Sequence, residues 1–452
     1  MNLADISRVI AEQRIEFVRF EQSDTHGISR SKLIPARHAE RFAEEGLNFL
    51  LGQLGLDVQG GVALGTGYLE DLGFPDSQIF PDPATFRVLP WLDATARIIC
   101  EPRFYDGRNA AAAPRYIARR QLDTLGELGY RMRAGYEYEF YLQHTGTGAP
   151  PYQGIQIFAT LRNEFDGAFI RQIIRDLQAV DVDIITSNAE YGPGQQEINF
   201  APVWDIAAAD AAFSFKHAVK EIALQHGYHA SFMTKPYADQ SASGCHFHHA
   251  LYRLADNSNA FDDPNGTGGL SEVARQFIAG QIAHAPALTA LYAPTVNCAK
   301  RYKLYSFAPT NATWGLENRT VGLRIKGVRG ANTHVENRIP CAASNPYLVL
   351  AGTIAAGIDG IRSKLEPPAP VEGMAYGMPD VVDLPTSLGA ALDALEADAM
   401  LRDALGEEFI KLFVAVKRHE INKASGAIKN FDSPEFANTV GQWERDELFE
   451  FL

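Results

Sequence analysis

Apolar positions recur at two spacings along the 452 residues, and the texture changes near residue 105. Ile6 to Gln13 carries the helical spacing, and IEFVRFEQSD, with Ile15, Phe17, Val18 and Phe20, predicts a strand. Asp24-Thr25-His26-Gly27 predicts a turn into a second strand near Ser31 to Ile34. Gly52 to Gly73 is rich in glycine and poor in charge, which predicts loop. Phe74 to Trp91 is punctuated by prolines and should be extended and turning, and ARIICEP reads as a buried strand. Residues 1–105 therefore read as a small mixed or β-rich domain, joined through YDGRNAAAAP to a second domain over 106–452.

In that second stretch the two periods alternate. Helices are predicted at 114–128, 167–180, 207–226, 271–292, 346–362, 387–395 and 399–424. RMRAGYEYEFYLQ and residues 182–189, 196–200, 229–233, 245–251, 321–326 and 334–339 predict strands. Such alternation makes an α+β or α/β catalytic domain, with no internal repeat and no low-complexity tract.

Charge narrows the function. The 41 basic and 55 acidic residues leave a formal net charge of −14, a poor match to nucleic acid or an anionic membrane. No apolar run nears the roughly 20 residues of a membrane span, and MNLADISRVIAEQR has no apolar signal core. Four widely spaced cysteines with no CxxC pair fit a reducing, cytoplasmic setting.

Several motifs carry chemistry. Strand alternation puts Glu137 and Glu139 of GYEYEF on one face, as a solvated pair or as two carboxylates held by a cation. Glu190 and Glu197 flank a Gly-Pro-Gly turn that can fold them toward one point. SGCHFHHALY puts His246 and His248 on one strand face, as metal or phosphate contacts or as buried hydrogen-bonded histidines. Glu336 shares a face with Arg338, and Arg301, Arg319 and Arg324 lie in nearby motifs, as anion contacts or surface ion pairs. Taken together, oxygen ligands, imidazoles and arginines suit Mg²⁺ or Mn²⁺ with a nucleotide polyphosphate and a second anion. No GxxxxGK[ST] occurs, so a P-loop does not hold the nucleotide.

The ordered series GYEYEF, AEYGPGQQEINF, SFMTKP, SGCHFHH, APTVNCAKRY, ENRTVGLRI and VENRIPCAASNPYLVLA resembles the glutamine synthetase type I superfamily over nearly the whole chain. FVRFEQSDTHGISRSKLIPA and RVLPW resemble its lengsin-like branch. The resemblance implies an α+β protein: an N-terminal β-grasp domain and a larger catalytic α/β domain with an antiparallel-sheet active site. It implies a homo-oligomeric ring, a dodecamer, with sites between subunits. It implies ATP, glutamate and an amine as substrates, joined through a γ-glutamyl phosphate. Glu139, Glu190 and Glu197 would hold one divalent ion, and Glu137, His246 and Glu336 a second. His248, Arg324 and His334 would contact ATP, and Arg301 the glutamate α-carboxylate. Arg319, Arg324 and Arg338 would neutralise the moving phosphoryl group and the γ-carboxylate, with Glu190 and a neighbouring subunit's Asp57 helping to deprotonate the amine.

Departures from the family pattern bear on the acceptor. Phe307 stands where the flap after the NSYKR-type motif carries a glutamate for ammonium. Ser241-Ala242 stands where the glutamate loop has Asn-Gly, and His334 where an arginine contacts ATP. An aromatic in place of a carboxylate points to an alkylamine, polyamine or aromatic amine. The alternatives are a glutamine synthetase using ammonia and a lengsin-like structural protein without turnover. Phe413 replaces the tyrosine of the adenylylation segment, so that switch should be absent.

Overall fold

The computed structural model describes residues 3–154, 157–327 and 330–452. Two sheets organise the chain. The first runs Ser29–Pro35, Phe17–Ser23, Thr95–Arg103, Asp76–Pro81, Leu47–Leu50, with Arg87–Val88 added to Thr95–Arg103. Phe17–Ser23 and Thr95–Arg103 are parallel; the other pairs are antiparallel. Val18 and Phe20 point inward with Ile79 and Ile98, and the helices Leu3–Glu12 and Ala39–Glu45 close this core through Ile6 and Ala39. The predicted turn forms as expected. Asp24 Oδ1 accepts from the N–H groups of His26 and Ile28 at 2.8 and 2.9 Å, and Gly27 takes a φ of 82°.

Among the described residues the second sheet has nine strands, seven of them in the order Trp314–Leu316, Leu323–Lys326, His334–Asn337, Cys245–Arg253, Tyr130–His144, Gln195–Phe200, Ile184–Ala189. Val203–Trp204 and Tyr228–Ser231 also pair with Tyr130–His144. The central strand explains itself by alternation. Tyr136, Tyr138 and Phe140 are fully buried on one face, where Tyr138 stacks on Phe215 of the helix Ile206–Gln225 at 5.6 Å. Its opposite face carries Glu137 and Glu139.

Two predicted helices are each divided. The 271–292 segment forms Glu272–Ala283 and Ala285–Tyr292, because Pro286 has no N–H to give to the carbonyl four residues back. His284 occupies the break, with Nδ1 2.6 Å from Asp398 and Nε2 3.1 Å from Asp359. The 399–424 segment forms Ala399–Leu405 and Glu407–Ala427, because Gly406 at φ 98° ends the first helix.

Buried ion pairs tie the small sheet to the helices of the large one. Arg115, 3% exposed, bonds Glu101 of the first sheet at 2.5 Å, Asp82 at 2.8 Å, and Asp210 of the helix Ile206–Gln225 at 2.8 Å. Removing the guanidinium leaves three carboxylates facing one another, two of them largely out of solvent. Arg115→Ala is expected to lower stability by about 2 kcal/mol. That is below the usual cost of a broken buried pair because Asp82 keeps 29% exposure. A urea titration of both proteins checks the figure.

Candidate active site

The strand registers line up the predicted residues row by row. Arg324 pairs with Glu336, and Glu336 with His248. In the next row His246 pairs with Glu137, and Glu137 with Asn199. Glu139 then pairs with Glu197, which pairs with Asn188. Because side chains alternate, all three rows open on one face, and the sheet itself gathers the carboxylates and imidazoles.

The resulting cluster has two electrostatic halves. In the first, His246 Nδ1 lies 2.5 Å from Glu137 Oε1, and His248 Nε2 lies 3.4 Å from Glu137 Oε2. Arg324 Nη1 donates to Glu336 Oε2 at 3.1 Å, and Arg338 donates to Glu336 Oε1. Burial would raise Glu137, but His246 and His248 hold it well below the usual carboxylate range. Burial is likewise overcome at Glu336, where Arg338, His248 and His246 hold the carboxyl down at about 2. The second half lacks such compensation. Burial, with the Glu139 charge, pushes Glu190 up to about 8. Burial and then the charges of Glu137, Glu139 and Glu190 push Glu197 up to about 10. Three crowded carboxylates with no cation between them are the donor set a divalent ion needs.

The first half also offers donors for a metal, with His246 Nδ1 2.5 Å from Glu137 and 3.7 Å from Glu336. Among the described residues, ligand atoms of Glu137, His248 and Glu336 lie within 4.8 Å of one another. His246 sits alongside, hydrogen-bonded to Glu137. A hydrogen-bond chain fixes the His248 tautomer. His334 Nδ1 can only donate to the Asn332 carbonyl at 2.6 Å, so its Nε2 accepts from His248 Nδ1 at 3.2 Å. With its Nδ1 committed to His334, His248 turns Nε2 toward Glu137 and Glu336, the nitrogen that would ligate an ion held there.

Two cavities meet at this face. One, of about 420 Å³, is lined by the five glutamates, by His246, Ser241 and Phe307, and by Arg301, Arg319, Arg324 and Arg338. The other, of about 330 Å³, is lined by His248 and His334 with the apolar surfaces of Tyr136, Phe200, Pro202 and Tyr252. Glu137, Asn199 and Lys326 line both. Lys326 was not singled out by the sequence reading, although it follows Arg324 by two in LRIK and so shares its face, with Nζ 3.9 Å from Glu336. Gln195 was also missed; its Nε2 donates to Glu139 Oε2 at 3.3 Å and to Ser243 Oγ at 3.2 Å.

Arg301 is 4% exposed and donates to the carbonyls of Ile339 and Arg338, both at 3.0 Å. A Cβ on Gly244 would lie 2.7 Å from its Nη2, so only glycine leaves room for the guanidinium. Gly244→Ala is expected to raise KM for the substrate anion about ten-fold by displacing Arg301, a loss of one charge-assisted contact. Initial rates against substrate concentration check it. Arg319 has no hydrogen-bond or ion-pair partner among the described residues and so offers a free guanidinium to the cavity. Asp57 does not line either cavity in its own chain. Its Oδ1 accepts from the N–H groups of Gln59 and Gly61, and its Oδ2 from Lys423 at 3.0 Å. Phe413 is fully buried in the helix Glu407–Ala427, 5.4 Å from the Phe409 ring.

A largely antiparallel sheet thus brings five glutamates, two imidazoles and four arginines to the junction of two cavities, a donor set suited to a divalent ion and an anionic substrate. Comparison with known proteins is more specific. The family model described as "Glutamine synthetase, catalytic domain" matches residues 111–435. Human lengsin is 35% identical over 94% of this chain and 84% of its own length. The glutamate–isopropylamine ligase of a Pseudomonas species is 32% identical over 95% of this chain and 97% of its own. The glutamine synthetase of Thermus thermophilus is 34% identical over 98% of both. A solved structure, apo GmaS without ligand, superposes with a TM-score of 0.84 at 29% identity, over 98% of this chain and 99% of that one. The chain belongs to the glutamine synthetase family of ATP-dependent carbon–nitrogen ligases. No helix among the described residues is long and apolar enough to cross a membrane.

Proposed function

We propose that this protein joins the γ-carboxylate of glutamate to an organic amine at the expense of ATP, through a γ-glutamyl phosphate. One observation favours an organic amine over ammonia. The ring of Phe307 lines the carboxylate cavity and stacks on Tyr191 at 6.0 Å and 19°, giving an apolar wall where ammonium needs an anion. The apolar cavity beside His248 would take the nucleotide base, with its phosphates passing Lys326 toward the glutamates. Mg²⁺ or Mn²⁺ would be held by Glu139, Glu190 and Glu197, and by Glu137 and Glu336 with a histidine, supplying charge neutralisation to the phosphates. Arg319, Arg324 and Arg338 would stabilise charge on the transferring phosphoryl group, and Arg301 would anchor glutamate. Glu190 would take the amine's proton as its nitrogen attacks the acyl carbon and phosphate leaves.

The rest of the reading is a boundary near residue 105 between a β-grasp and a catalytic domain, a cytoplasmic setting, and a ring oligomer in which Asp57 serves a neighbour's site. A glutamine synthetase using ammonia is the second reading, favoured by 34% identity over almost the full length of the Thermus thermophilus enzyme. Phosphate release from ATP with glutamate and Mg²⁺, across ammonium, alkylamines, ethanolamine, putrescine, spermine and aniline, separates the two. An organic amine outrunning ammonium is the expected result. Ammonium outrunning every amine supports the second reading. No turnover with any acceptor, Mn²⁺ included, supports a lengsin-like protein without activity.

A further inference from the structure

Two loops place a phenylalanine at the carboxylate cavity in the same uncommon backbone state. Phe158 and Phe307 each have a φ of 59°. Bulky side chains rarely occupy this region, and where they do the surrounding structure holds them there. Phe307 is held through its carbonyl, which accepts from Arg338 Nη2 at 3.1 Å. Phe158 is held through its N–H, which donates to the Ala189 carbonyl at 3.2 Å. Both rings stay substantially exposed, at 61% and 50%, so burial in the protein's own core does not account for them.

Tyr191 adds a third ring by stacking on Phe307, and it directly follows Glu190. Its N–H donates to Glu190 Oε2 at 3.3 Å. The aromatic surface therefore begins within one residue of the carboxylate assigned to the incoming nitrogen. Beyond the five glutamates, the charged groups that line this cavity are cations: Arg301, Arg319, Arg324, Arg338 and Lys326. With the five glutamates engaged as the ligase reading assigns them, a second ammonium on the acceptor would be left facing these cations.

Resting on the ligase reading above, we infer that the acceptor is a primary monoamine with a small apolar substituent, and that Phe158 and Phe307 select it against ammonium, diamines and polyamines. The test compares kcat/KM for isopropylamine, butylamine, ethanolamine, putrescine and ammonium, with wild type, Phe307→Glu, Phe307→Leu and Phe158→Ala. Wild type is expected to favour an alkyl monoamine over both putrescine and ammonium by at least about ten-fold, the scale of one buried apolar group. Phe307→Glu should raise the alkylamine KM about ten-fold or more, shift preference toward putrescine or ammonium, and move the ATP KM less. Phe307→Leu keeps an apolar wall and should keep the wild-type order. Putrescine matching or beating the alkylamines in wild type overturns this inference and leaves the ligase reading standing. So does an acceptor order unchanged in both Phe307→Glu and Phe158→Ala. Ammonium beating every amine, or no turnover at all, removes the ligase reading and this inference with it.

Discussion

Replacing Glu197 by glutamine is expected to reduce turnover by about three orders of magnitude and, in the absence of divalent ions, to raise the melting temperature. The two effects share one cause. Glu197 sits with Glu139 and Glu190 where burial and mutual repulsion push its carboxyl up to about 10 and that of Glu190 up to about 8. In the unfolded chain both ionise near 4.3. Between these limits the folded metal-free protein keeps protons that the unfolded chain has released, so stability falls as pH rises. The slope approaches about 1.4 kcal/mol per pH unit for each retained proton, as an upper bound. Glutamine carries no such proton, so the gain in Glu197→Gln should be small near pH 5 and grow toward pH 8. Mg²⁺ should reverse the order, raising the wild-type melting temperature more than the variant's because an ion replaces the protons. Activity should fall steeply, since a neutral amide is a poor ligand for a hard cation. Melting curves at several pH values, with and without Mg²⁺, beside phosphate-release rates, check all of it. A variant that keeps full activity, or a gain in stability that does not depend on pH, would sink the assignment.

Half of this carboxylate and imidazole cluster is legible in the sequence. Alternation alone put Glu137 with Glu139 and His246 with His248, and both pairs share the open face of the large sheet. A one-dimensional pattern carries no information on which strands lie side by side. His246 was expected at the metal and His248 at ATP, and the register brings both imidazoles to Glu137 and Glu336. Lys326 and Gln195 were passed over for the same reason: each acts through a neighbour on another strand. The helix breaks at His284 and Gly406 were readable from Pro286 and Gly406, but strong helical periodicity on both sides masked them. Phe158 gave no signal in the sequence, because a phenylalanine at φ 59° looks there like any apolar residue.

Arg338→Lys is expected to lower kcat by about a hundred-fold or more while changing the melting temperature little. The guanidinium uses two of its nitrogens in different directions. Nη1 donates to Glu336, and Nη2 donates to the Phe307 carbonyl at 3.1 Å. Nε is buried without a hydrogen-bond partner among the described residues, leaving one donor direction uncommitted. A lysine keeps one positive charge but has no rigid fork, so it can hold Glu336 or the Phe307 loop but not both in the same plane. If it stays with Glu336, the loop bearing Phe307 loses the contact that helps to hold its left-handed backbone, and the amine wall loosens. If it follows the loop, Glu336 loses the positive charge that does most to keep it ionised, and the metal half of the site weakens. Loss of one preorganised donor to developing phosphoryl charge costs a factor of about 10² to 10³ in enzymes generally. The two routes are separable. Movement of the loop should raise KM for the amine, whereas weakening at Glu336 should raise the Mg²⁺ concentration needed for half-maximal rate. Measuring both constants for Arg338→Lys therefore shows which end of the fork the reaction depends on, and a variant with wild-type kcat would remove Arg338 from the catalytic set.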